Sequence, residues 1–103
     1  MKIPKTIKIL GHKITVYWSN GALELDDDTG CRGLAHLLTN KIGLSRQIEG
    51  DELTESVIAE SFLHEITHHI ADKLGLELEE YQVAGIACGL LQVIRDNKLD
   101  FRG

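Results

Sequence analysis

Only two cysteines occur in the 103 residues, Cys31 and Cys88, too far apart for a Cys-x-x-Cys clip and too few for the disulfide framework of a small secreted domain. Both read as reduced, Cys88 in a helix core and Cys31 in a loop or at a strand end. Basic residues are outnumbered, 11 Lys and Arg against 16 Asp and Glu, and the net charge of −5 has the wrong sign for gripping a phosphate backbone. Nucleic-acid binding is thereby not expected as a primary role. Long hydrophobic runs are lacking too: the best stretch, Ala84 to Ile94, is broken by Gly85, Gly89 and Gln92 and falls short of the ~20 residues a membrane span needs. Lys2, Lys5, Lys8 and Lys13 interrupt the N-terminus too regularly for a secretory h-region, so a cytoplasmic protein without a membrane partner is expected. No internal repeat, low-complexity tract or linker divides the chain, and residues 1–103 read as one domain. With 43% hydrophobic and 26% charged residues it can bury a core, but a chain this small hides only about 60–70% of its unfolded surface. Little wall is left for a deep cleft.

What is present is a change of period along the chain. Ile7 and Ile9, then Ile14, Val16 and Trp18, alternate around Gly11-His12, which predicts a β-hairpin. Ser19-Asn20-Gly21 ends it, and the acidic run Asp26-Asp27-Asp28 reads as a solvated loop, with a short strand or helical turn at Ala22–Leu25. Cys31 to Ser45 reads as a second hairpin about Thr39-Asn40-Lys41, and Glu49-Gly50-Asp51-Glu52 as another turn. Thr54 is an N-cap with Glu55 well placed against the helix dipole, and the helix it opens should run to about Leu74, with Gly75 as C-cap. A second helix, from near Glu79 to about Ile94, carries Val83, Ile86, Ala87, Leu90 and Ile94 on one stripe. The expected fold is α+β: a small antiparallel or mixed sheet from two N-terminal hairpins packed on two helices.

The chemistry sits in the first helix, where His64-Glu65-Ile66-Thr67-His68 spells His-Glu-x-x-His. Histidines four apart differ by about 40° around a helix, so their imidazoles can converge on one ion, while Glu65, turned by about 100°, can stand beside it without binding. Metal-assisted hydrolysis requires that arrangement: neutral imidazoles hold Zn²⁺, the ion acidifies its water, and a carboxylate accepts the proton. The competing explanation is an exposed face with coincidental histidines. Against it, Val57, Ile58, Phe62, Leu63, Ile66, Ile70 and Leu74 make the helix apolar enough to be buried, and a buried histidine without a partner is costly. A third zinc ligand must come from elsewhere, because no histidine follows His69. Glu79 and Glu80 flank the apolar stripe of the second helix about equally, and helical arithmetic does not choose between them.

The stretch Leu63 to His68, Leu74-Gly75-Leu76, Glu79-Glu80-Tyr81-Gln82-Val83, Ala87 and Leu90 to Asn97 resembles the small phage and prophage metallopeptidase-like proteins, minimal relatives of the gluzincins. The resemblance covers essentially the whole chain, and its specific part is the C-terminal half. It implies a minimal zincin-like domain in which His64, His68 and Glu80 ligate zinc and Glu65 is the general base. It also implies a peptide or protein substrate lying along the edge strand before the helix, with His36, Arg46 and Tyr81 as candidates to stabilise an oxyanion. His69 is expected at the surface or behind the ligands, and Tyr17 and Trp18 in hairpin packing. The function expected is a zinc-dependent peptidase-like hydrolase; the alternative is a zinc-stabilised binding module without chemistry. The sequence assigns no oligomeric state.

Overall fold

Leu10 and Gly11 both carry positive φ, 49° and 83°. This is the left-handed pair of a type I′ turn, whose twist matches that of two antiparallel strands. Thr6–Ile9 (β1) therefore folds back on His12–Ser19 (β2) with Ile9 opposite His12. The computed structural model describes residues 2–25 and 28–101, with 24, 25 and 28–31 described by backbone alone. Within them follow Leu23–Leu25 (β3), Asp28–Cys31 (β4), Gly33–His36 (β5), Lys41–Ser45 (β6), Gln47–Ile48 (β7) and Asp51–Glu52 (β8). Two helices complete the chain, Glu55–Leu74 (α1) and Glu80–Asp96 (α2). Asp26 and Asp27 of the acidic run lie outside the described residues.

The main sheet is mixed, in the order β1-β2-β6-β5. Its outer pairs are antiparallel, while β2 and β6 run parallel, Val16 beside Ile42 and Trp18 beside Leu44. The two hairpins are thus joined edge to edge, and β3–β4 and β7–β8 form separate two-stranded ribbons. Alternation sends Ile14, Val16, Ile42 and Leu44 to one face, where they meet Phe62 of α1 with Ile66, Ile70 and Trp18 packed around them. This is the core.

The Thr54 hydroxyl accepts the Val57 N–H at 3.3 Å, and Gly75, at φ 67°, takes the left-handed position that stops α1. α2 packs on α1 rather than on the sheet, so the layers run sheet, α1, α2. With one neighbour it buries only a narrow stripe, Val83 and Ala87. Ile86 and Leu90, expected inside, are 42% and 46% exposed. Cys88, expected in a helix core, is exposed as well, because it points about 140° away from Val83.

Candidate metal centre

α1 turns one face to the sheet and another to α2, and the chemistry-bearing residues divide between them. His64 and His68, one turn apart, lie on the side where α2 packs, and their Nε2 atoms are 3.2 Å apart. Between His68 and the end of α1 the chain rises about 9 Å, and the five residues from Gly75 to Glu79 span up to about 17 Å when extended. The connection is therefore long enough to bring the start of α2 back level with the histidines. Glu80, first residue of α2, places its carboxylate against both: Oε1 is in hydrogen-bond contact with His64 Nε2, and Oε2 is 3.1 Å from His68 Nε2.

Glu79 and Glu80, equivalent by helical arithmetic, are separated by the cap. Glu79 is extended (φ −74°, ψ 156°), and its N–H donates to the Gln82 side chain at 2.8 Å. It belongs to the capping box, and only Glu80 joins the histidines. Burial raises the proton affinity of Glu80, but the His64 hydrogen bond and the charge of His68 outweigh it and hold the carboxyl below its ordinary range.

The donor set, two imidazoles and a carboxylate, has the chemistry of a site for a divalent metal ion. Nitrogen and oxygen ligands about 2.0–2.1 Å from zinc stand about 3.3 Å from one another. The spacings of 3.2 Å between the imidazoles and 3.1 Å from His68 to Glu80 are close to that distance, whereas His64 Nε2 and Glu80 Oε1 stand closer, in direct hydrogen-bond contact. His64, Glu65 and His68 together form a group able to hold a metal ion, with ligand atoms within 4.8 Å of one another.

Glu65 takes the side of α1 that faces the sheet and is 6% exposed. Burial first, and then the negative charge of Glu80, push its carboxyl up to about 8 in the metal-free protein. At neutral pH the metal-free group is therefore mostly protonated, and a cation held by the adjacent histidines would favour its ionised, proton-accepting form.

Of the two places expected for His69, at the surface or behind the ligands, the surface is excluded, since the residue lies fully buried. It follows Phe62 by seven residues, two full turns, which puts it on the core face; that spacing was the available signal. Its Nε2–H donates to the Lys41 carbonyl of β6 at 3.0 Å, and Nδ1 accepts from Lys73 Nζ at 3.2 Å. Lys73 also donates to Asn40 Oδ1 at 3.0 Å. Burial, ahead of the nearby charges, lowers the His69 pKa and keeps the ring neutral, and this clip ties α1 to the sheet one residue beyond His68.

Two of the three oxyanion candidates are engaged elsewhere. His36 is half-buried and hydrogen-bonded to the Tyr17 hydroxyl, whose ring lies across Gly43 on the sheet face opposite α1. The Arg46 guanidinium stacks over Trp18, 4.2 Å from the ring centroid. Tyr81 is 74% exposed on the first turn of α2.

Compared with known proteins, the chain matches no family model, no curated protein and no solved structure. Among the described residues no helix is long and apolar enough to cross a membrane.

Proposed function

We propose that this protein is a zinc-dependent peptidase-like hydrolase, a minimal relative of the gluzincins, acting on a peptide bond of a protein substrate. The observation that carries the reading is the convergence of His64 Nε2, His68 Nε2 and the Glu80 carboxylate within hydrogen-bond distance of one another, with Glu65 buried alongside. His64 and His68 hold the ion from α1 and Glu80 from α2, a His₂Glu set that suits zinc with one position left open. When bound, zinc supplies Lewis acidity and lowers the pKa of a water molecule to about 7. The Glu65 carboxylate accepts the proton of the attacking water and returns it to the leaving amine. The neutral His69 clip fixes the turn of α1 that carries His68. As the edge strand of its sheet, β5 offers backbone groups with which an extended substrate can pair.

The test is digestion of an unfolded protein by zinc-loaded enzyme. Wild type should cleave it, chelation should abolish cleavage, and Glu65→Gln should lose 10²-fold or more while keeping its zinc. Unchanged activity in that variant would sink the role given to Glu65. One observation favours a second reading, a zinc-stabilised binding module: the donors come from both helices, and among the described residues α2 packs chiefly on α1. Under it Glu65→Gln is silent and His64→Ala lowers Tm.

A further inference from the structure

Gly33 opens β5 in register with Leu44 of β6, on the sheet face that α1 covers. A glycine in a strand gives up side-chain packing and conformational entropy, and its position then marks where another group comes close to the backbone. Here that group is Glu65. A Cβ added at Gly33 would lie 2.8 Å from Glu65 Oε2, 3.2 Å from Cγ and 3.3 Å from Cδ. Three atoms of the side chain would be met at once, Cγ near its root as well as the carboxylate at its end, and the side chain is almost wholly buried.

We infer that Gly33 is a positioning residue: its missing side chain is the space that seats the Glu65 carboxylate beside the histidine pair. This rests on the hydrolase reading for its purpose, while the contact itself is independent of it. Ala35, two residues on and on the same face, does not replace Gly33, because it stands opposite Ile42 one row further along.

The experiment is a double-mutant cycle with a spectroscopic arm. Wild type, Gly33→Ala, Glu65→Ala and the double variant are melted without metal, then loaded with cobalt(II) and followed by visible spectrum across pH. Gly33→Ala should lower Tm by roughly 4–8 °C beside Glu65, and should leave it unchanged or raise it when Glu65 is already alanine. Cobalt should bind at one equivalent to wild type and to Gly33→Ala, since no donor atom is touched. The pH midpoint of the spectrum should move in Gly33→Ala toward that of Glu65→Ala, which a merely structural role would not produce. An equal loss of Tm in both backgrounds, or an unmoved midpoint, overturns the inference. Failure of wild type to bind cobalt overturns the hydrolase reading and the purpose with it, while the melting cycle still decides the contact.

Discussion

Replacing Glu65 by glutamine should stabilise the metal-free protein at high pH and do little at low pH. The ionised carboxylate is penalised in the fold by burial and by Glu80, so its pKa stands at about 8 against an ordinary 4.5. The folded chain therefore holds a proton that the unfolded chain has already lost. For a group with a raised pKa, stability is fully present below the unfolded value and is lost as pH rises through the folded one. At about 1.4 kcal/mol per decade of proton affinity, the full loss is on the order of 5 kcal/mol, of which about 4 kcal/mol falls between pH 5 and pH 9. A domain of this size has only about 5–15 kcal/mol in hand, so the effect is large enough to read. Urea unfolding of wild type and Glu65→Gln, with chelator present at both pH values, measures it. The stability difference should swing in favour of the variant by several kcal/mol from pH 5 to pH 9. Parallel curves for the two proteins would refute the assignment of Glu65 as a buried, uncompensated carboxylate.

Other perturbations separate the frame from the site. His69→Ala should cost roughly 2–4 kcal/mol at pH 8, since it opens a cavity and leaves the Lys41 carbonyl without its donor, and urea titration reads the loss. Because the His69 pKa is lowered, that contribution is present above about 6.5 and fades as pH falls, so the cost should be smaller at pH 5. Gly75→Ala, at φ 67°, should lower stability by about 1 kcal/mol through the C-cap while leaving metal content unchanged, as melting and elemental analysis of one sample would show.

The fold was legible where the sequence changes period or places a residue suited to one backbone conformation. Ile7, Ile9, Ile14 and Val16 alternate, Gly11 completes the turn between them, and Thr54 and Gly75 bracket α1, all as expected. The parallel pairing of β2 with β6 was not legible, since which hairpin edges meet depends on contacts between segments distant in the chain. The His-Glu-x-x-His face was readable because the helix period fixes which side chains can converge. The choice of Glu80 over Glu79 was not, because it turns on which residue is the extended cap, and helical arithmetic treats both as helical. Ile86 and Leu90 are exposed because α1, the chief packing partner of α2, covers too little of its apolar stripe, and Cys88 because it lies off that stripe. The roles of Gly33 and His69 were not legible, because they depend on what stands across from them, Glu65 and the Lys41 carbonyl.

The central claim is that the two helices together present three metal ligands, and the most direct measurement is the zinc content of purified protein by elemental analysis. Wild type would be measured beside His64→Ala, His68→Ala, Glu79→Gln and Glu80→Gln. The geometry predicts one zinc per chain in wild type and in Glu79→Gln, loss with either histidine, and weakened retention in Glu80→Gln. Zinc absent from wild type even after reconstitution, or retained equally by all five proteins, would contradict it.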